Sequence, residues 1–576
     1  MQAETDPLPR PPSEASIVII GGGIAGCSLA YHLSLLGWKD VILLERRKLT
    51  CGTTWHAAGL IAQLRSTLNM TKLAKYSANL YSRLEEETGI NPGFKRNGSV
   101  AIALTNDRMH EFRRNIASAE LFNIEVAELN KSDCLDKYPF LEEAGIIGGI
   151  WTPLDGQADP VNITLGLAHG ARQRGVKIFE NVQVTGFRLK GRSILGVQTN
   201  LGFIRSTKIA NCAGMWARQI GKLAGVRVPV KAAEPSYFVT EPVESLPKHL
   251  PVLRVPDEFT YIKEDAGKLL VGSFEPLAKP YGESGIPEDF CFDELPFDMD
   301  HMSPIIDLAI NRVPILSSVG IQSFFNGPEA FTPDNRYLLG EAVEANNFFI
   351  AAGFNSVGIQ SAGGAGKVLS EWIDSGEPPC DLWDVDIRRI QRFQSNKQYL
   401  YDRTKESLGL LYADHYPFRQ YSTARGLRHS PLHDRFLNLG ACFGEHAGWE
   451  RPNWFCREYS KTKIVPQYDY GWGKQNWFES SAKEHLAVRN NIGIFDLTSL
   501  AKFKVEGRDS TEVLNYLCGN EVDVDPGKII YTQLLNHYGG IEGDITVTRL
   551  SENQFLIVTS PESARKDFAW IERHIP

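Results

Sequence analysis

At 576 residues the chain exceeds what one hydrophobic core supports, and its length implies roughly three or four domains. With 43% hydrophobic and 23% charged residues it has the composition of a soluble globular protein, and a net charge of −8 argues against nucleic acid or an anionic membrane surface as its main partner. No apolar run reaches the ~18 residues a membrane span needs. The nine cysteines lack C-x-x-C or metal-like spacing, which reads as a reduced intracellular chain without a metal site.

Residues 1–15 are proline-rich and carry Glu4, Asp6 and Glu14, so they read as a disordered segment rather than a secretory or transit peptide. The apolar run Ile17-Val-Ile-Ile predicts a buried strand. A G-x-G-x-x-G follows in Gly21, Gly23 and Gly26, and Ile24 and Ala25 open a helix reaching about Leu36. Gly21 makes the tight turn, Gly23 admits a pyrophosphate, and Gly26 lets helix and strand pack closely. A second apolar strand ends at Glu45, placed to accept from a ribose hydroxyl, with Arg46 next to it. These features together predict a dinucleotide site without choosing between NAD and FAD. The segment Gly52-Thr53-Thr54-Trp55-His56-Ala57-Ala58-Gly59-Leu60 is a small-residue loop holding one histidine.

Farther along, Met70 to Gly89 reads as an amphipathic helix with Leu73, Tyr76, Leu80 and Leu84 on one face. Gly98–Leu104 and Gly145–Trp151 look like strands of another sheet. The turn around Asp155-Gly156 reads as a solvated loop, with Asp159 the N-cap of a helix from about Val161. Val176–Phe179, Val182–Phe187 and Ile209–Gly214 look like the returning half of the dinucleotide domain. Between 230 and 330 the alternating runs Tyr237–Thr240, Thr260–Ile262 and Leu269–Gly272 predict antiparallel strands able to build a substrate pocket. Asn347–Ala352 reads as a buried strand, turned by Gly353-Phe354-Asn355-Ser356-Val357-Gly358 into a helix ending near Gly376. The arginines Arg388, Arg389, Arg392, Arg403 and Arg425 read as the solvated surface of a connector.

The segment Gly52 to Leu60 resembles one in the flavin-dependent N-methylglycine dehydrogenases, the dimethylglycine and sarcosine dehydrogenase family, with a slight lean toward the sarcosine members. In that family this histidine is bonded to the flavin, so the resemblance implies FAD held covalently through His56. It extends over about 16–576 and implies an α/β plus α+β architecture. A Rossmann-type, D-amino-acid-oxidase-like FAD-binding fold with an antiparallel substrate sheet would span 16–385 and a connector 386–455. The start of a folate-binding aminomethyltransferase-like domain would span 456–576, where the sequence is either a fragment or carries an incomplete folate site. By the same resemblance Val184 would meet the adenine end and Trp216 would sit in the family's Asn-x-Ala-Gly-x-Trp turn. The helix N-terminus at Gly353–Gly358 would face the flavin's pyrimidine edge, while Tyr261 would be catalytic and Asp544 would lie beside the folate. One departure is Pro235, where the family often has a histidine.

The implied activity is flavin-dependent oxidative N-demethylation of an N-methylated glycine, sarcosine or dimethylglycine. Its one-carbon unit would pass to tetrahydrofolate or leave as formaldehyde, and its electrons would go to electron-transfer flavoprotein or oxygen. The expected location is the mitochondrial matrix in a eukaryote and the cytoplasm otherwise. A competing resemblance, to the regulatory subunit of pyruvate dehydrogenase phosphatase, rests on Glu329–Asp334 and Gly363–Lys367 and implies a non-catalytic role. His56 separates the two, because that relative lacks the Trp-His pair.

Overall fold

The computed structural model describes residues 10–244, 246–456 and 465–576. The expectation of disorder over 1–15 therefore falls largely outside the described residues; within them, Ala15 is buried and its N–H donates to Arg205 O at 2.9 Å. The described residues through Ile387, with Ser395–His415, form one compact unit, and Arg388–Gln394 with Tyr416–Pro576 form a second. Among the described residues no helix is long and apolar enough to cross a membrane.

The first unit is built on two large sheets. One has six strands in the order Leu338–Glu341, Phe348–Ala352, Ile209–Asn211, Ile17–Ile20, Val41–Leu44, Lys177–Phe179, parallel except at the Leu338–Glu341 edge. Both faces of the central strands are buried, which explains why they read as unbroken apolar runs. The helices Ile24–Leu35, Leu68–Thr88, Pro160–Gln173 and Gly358–Ser375 contribute to the core around this sheet. The helix Leu68–Thr88 buries Leu73, Leu80 and Leu84; Thr67 caps its start and Gly89, in the left-handed region at φ 79°, ends it.

The second large sheet has eight strands and carries Ile321–Asn326, Ser236–Thr240, Lys268–Ser273, Thr260–Asp265, Val252–Val255, Ser99–Ala103, Gly148–Thr152 and Ala127–Leu129 in that order. Its register aligns Arg254 with Tyr261, Tyr261 with Gly272, Gly272 with Tyr237 and Tyr237 with Phe325. Cross-strand partners share a face, so this one row projects from one side of the sheet.

The strand Val184–Lys190 pairs in a separate three-stranded antiparallel sheet. Two readings need correction. Asp155 is not a solvated turn residue: it is 5% exposed, and its carboxylate accepts from Gln63 N at 3.0 Å and Ser99 Oγ at 2.7 Å. Nor are all the connector arginines surface groups. Arg403 is 1% exposed in the helix Lys397–Ser407, and Arg425 makes a two-pronged pair with the buried Glu450. Paired or interior arginines are indistinguishable in sequence from solvated ones.

The second unit contains an antiparallel sheet ordered Ala501–Glu506, Gln554–Thr559, Ile541–Ser551, Ile529–Leu535, with Leu514, Phe555, Ile557 and Trp570 in its core. Asp544 is exposed on Ile541–Ser551, opposite Gln533.

Packing is tight where the first helix leaves the first strand. A Cβ at Gly26 would lie 2.0 Å from Gly21 O, a backbone atom that cannot rotate away. A Gly26→Ala variant should therefore lose about 1–3 kcal/mol of stability, read as a lower thermal unfolding midpoint of the first unit.

Candidate functional site

Two cavities meet above the carboxyl ends of the parallel strands. The larger, about 330 Å³, is lined by Gly21, Gly23, Ile24, Ala25, Glu45, Arg46, Gly52, Thr53, Thr54, Ala57, Val184, Trp216, Gly353, Phe354, Asn355, Ser356 and Gly358 from among the residues singled out in the sequence. The smaller, about 130 Å³, is lined by His56, Ala57, Ala58, Gly59, Leu60, Ser356, Val357 and Tyr261 from the same set. Thr53, Ala57, Glu329, Ser356 and Ile359 belong to both walls. Gly26 and Trp55 line neither cavity, and Asp544 lies in the other unit. Gly26 serves helix packing, while Trp55 packs edge-on against His56, Phe292 and Phe325.

Two helix N-termini open on the larger cavity, those of Ile24–Leu35 and Gly358–Ser375. Neither has an acidic residue in its first turn, and neither N-cap residue supplies a side-chain bond. Their partial positive charge is thus left for an anion. Thr54 Oγ1 accepts from Ile24 N at 3.2 Å, which ties the Gly52–Leu60 loop to the first helix. Glu45 is 8% exposed and braces the glycine turn: it accepts from Gly22 N at 2.8 Å and Arg47 N at 2.9 Å. Burial raises its pKa, against the pull of those two bonds. Arg46 donates to the carbonyls of Glu288 at 2.7 Å and Phe290 at 2.8 Å, and its guanidinium lies 3.8 Å over the Trp216 ring. It shapes the cavity wall and is not a free phosphate ligand. On the other side, Asn355 and Ser356 both have left-handed φ, at 49° and 59°. Such backbone costs about 1–3 kcal/mol per residue. Asn355 holds it, accepting from Thr332 N at 2.8 Å and donating to Gly353 O at 2.7 Å.

The smaller cavity concentrates charge. Arg254, Tyr261 and Tyr237 are the members of the sheet row that line it, and a Cβ at Gly272 would sit 2.2 Å from Tyr261 Oη, so the phenol occupies the gap the glycine leaves. Arg65 faces in from the loop after Leu60–Ile61. Asp155 lies within electrostatic reach of both arginines, so the two guanidiniums have one buried carboxyl near them. The Arg254 Nε, His56 Nε2 and Tyr412 Oη are all buried without a hydrogen-bond partner among the described residues. Tyr412 and Leu411 come from the segment read as connector. Arg108 holds that segment: it donates to Tyr412 O at 2.7 Å and pairs with Glu111 and Asp257. Sequence reasoning missed Arg65, Arg254, Tyr412 and Glu329 because they come from four separate segments that only the fold brings together.

His56 packs against the Gly327 backbone, where a Cβ would fall 2.3 Å from its Nδ1. Burial lowers its pKa to about 4, so the imidazole is neutral at pH 7. The uncapped helix termini, the glycine cradle and the orphaned Nε2 of His56 and Nε1 of Trp216 fit a dinucleotide whose reactive ring reaches the seam between the cavities.

Comparison with known proteins agrees. Residues 16–372 match the family described as FAD dependent oxidoreductase, 375–430 its central domain, and 432–576 the GCVT N-terminal domain. The chain is 41% identical over 99% of its length to 4-methylaminobutanoate oxidase (formaldehyde-forming) of Paenarthrobacter nicotinovorans, and covers 68% of that protein. It is 35% identical over 96% of its length to human mitochondrial sarcosine dehydrogenase, covering 62% of it. It is also 33% identical over 98% of its length to the mouse mitochondrial pyruvate dehydrogenase phosphatase regulatory subunit, covering 65% of it.

His32, 3% exposed, is likewise lowered to about 4 by burial. Because both folded pKa values lie below the ordinary 6.5, stability from keeping the rings neutral is whole above that pH and falls as pH drops toward 4. Each ring accounts for at most about 3 kcal/mol. Replacing His56→Phe in the protein without dinucleotide should cut the proton uptake on unfolding near pH 5 by about one, measured from the pH dependence of denaturant unfolding.

Proposed function

The chain belongs to the FAD-dependent oxidoreductase family, and on that premise we propose that it oxidises the carbon–nitrogen bond of a small N-methylated amino acid. The observation that carries the reading is the shared wall: a cavity lined by the guanidiniums of Arg65 and Arg254 adjoins the larger cavity. The relatives named for 4-methylaminobutanoate and sarcosine support this substrate class.

FAD would lie with its pyrophosphate at the N-terminus of Ile24–Leu35, its ribose near Glu45 and its adenine near Val184. Its flavin would meet the Gly353–Gly358 turn, and its bond to the protein would be through His56. Bound there, the flavin supplies the two-electron acceptor for the hydride leaving the N-methyl group. The neutral His56 keeps the lone pair such a bond requires. Arg254 and Arg65 would hold the substrate carboxylate by charge-assisted hydrogen bonds, satisfying the Nε that is otherwise orphaned. Tyr261 and Tyr237, from the same sheet row, would line the substrate's flank, and Tyr412 with Leu411 would exclude water. The second unit would pass the one-carbon unit to tetrahydrofolate near Asp544, or formaldehyde would be released. The reduced flavin would be reoxidised by electron-transfer flavoprotein or oxygen.

Acid precipitation tests the covalent bond: flavin should stay in the washed pellet of the parent protein and appear in the supernatant of His56→Ala. Anaerobic addition of sarcosine, dimethylglycine and 4-methylaminobutanoate should bleach the flavin with at least one of the three. Purified protein that binds no flavin would sink this reading and favour a non-catalytic, regulatory role.

The arginine assignment is tested separately. Arg254→Met should weaken substrate binding about 10²-fold, roughly 3 kcal/mol, with a smaller change in the limiting rate of bleaching.

A further inference from the structure

Glu329 begins the strand Glu329–Phe331, in register with Ala233, and stands in the wall common to both cavities. Among the described residues lining the smaller cavity it is the one carboxylate. An N-methyl amine is an ammonium ion near neutral pH and has no lone pair to drive hydride loss, so a proton must leave before the carbon–hydrogen bond breaks.

We propose that Glu329 is the base that accepts this ammonium proton, a role that rests on the amine-oxidation reading above. A carboxylate oxygen of Glu329 forms the new O–H bond as the N–H bond breaks, and the electron pair remains on nitrogen. The neutral amine nitrogen then carries the lone pair that breaking the methyl carbon–hydrogen bond requires, and the flavin, when bound, would supply the two-electron acceptor. The Glu329 carboxyl returns its proton to water once the product has left.

Elimination among the neighbours supports the assignment. Arg65 and Arg254 are permanent cations. Burial pushes the phenols of Tyr237 and Tyr261 far up, and that of Tyr412 to about 12, so none is an acceptor. His56 is too weak a base, with its pKa lowered to about 4. Glu329 differs: burial raises it to about 7, while the Ser356 hydroxyl and backbone N–H, both donating to it, favour the carboxylate. Repulsion from Glu275 adds to the rise. A carboxyl with its folded pKa near neutrality is half ionised at working pH, which is where a general base is most effective.

The test is anaerobic flavin reduction by sarcosine, dimethylglycine and 4-methylaminobutanoate, followed by stopped flow from about pH 6 to about pH 10. The parent rate should climb with pH through a limb near 7. Glu329→Gln should keep its yellow flavin but be reduced about 10²- to 10⁴-fold more slowly near pH 7. Its rate should recover as pH approaches the free amine's own pKa. Ser356→Ala removes a hydrogen bond to the charged form and should move the limb to higher pH. Without any substrate, infrared difference spectra across the limb should show one protonated-carboxyl band that Glu329→Gln lacks.

A Glu329→Gln protein reduced at the parent rate with the parent profile would overturn the assignment alone. If that variant fails to hold flavin, an unmoved limb in Ser356→Ala overturns it instead. No bleaching of the parent protein by any of the three amines would overturn amine oxidation itself and this role with it.

Discussion

The helix from Ile24 can start where it does only because nothing but hydrogen stands between Gly26 and the carbonyl of Gly21. That close approach fixes the helix N-terminus against the end of the first strand, and the rest of the site is hung from it. Glu45 bonds the same turn from the next strand, and Thr54 bonds the helix start from the loop that carries His56. Three segments read separately along the chain are thereby locked into one wall. The opposite wall is independent: Gly353–Gly358 is held by Asn355 and by the hydroxyl of Ser356 on Glu329. A dinucleotide between them would be gripped by backbone donors rather than by mobile cations, since Arg46 is committed to carbonyls and to Trp216.

What was legible in the sequence is what local physics dictates. The glycine turn, the unbroken apolar strands and the amphipathic helix ending at Gly89 follow from periodicity and backbone sterics over a few residues. The segment from Gly52 to Leu60 was legible by resemblance, since a lone histidine in a small-residue loop carries no chemistry by itself. The second cavity was not legible. Arg254 and Tyr261 meet because two strands pair in a particular register, and Asp155 serves both arginines only after the loop carrying Arg65 folds beside Ser99. Exposure is equally hard to read for charged residues: Arg403, Arg425 and Arg392 look alike in sequence, yet Arg403 is buried, Arg425 half-buried and Arg392 exposed. Burial of a guanidinium depends on a partner that sequence spacing does not reveal.

The segment after the helix Gly358–Ser375 shows the same limit from another side. Read as a connector, it is divided between the two units, and its residues 395–415 complete the first. The buried cluster of Arg108, Glu111 and Asp257 explains how a polar stretch reaches the cavity. Its carbonyl at Tyr412 is tethered to a guanidinium whose charge is already neutralised. An ionic cluster of this kind specifies position more than it adds stability.

The two large sheets reach different cavities, the larger through Ile20, Leu44 and Ala351 and the smaller through Ser236, Tyr237, Arg254 and Tyr261, and this has a consequence for how such a protein can change. Residues along the row Arg254, Tyr261, Tyr237 can be exchanged to suit a longer, shorter or bulkier guest while the nucleotide-gripping half is left as it was. That freedom stops at the five shared positions, Thr53, Ala57, Glu329, Ser356 and Ile359. A change at any of them alters both rooms at once. Diversification in this scaffold is thus channelled toward the eight-stranded sheet, with the party wall as its fixed boundary.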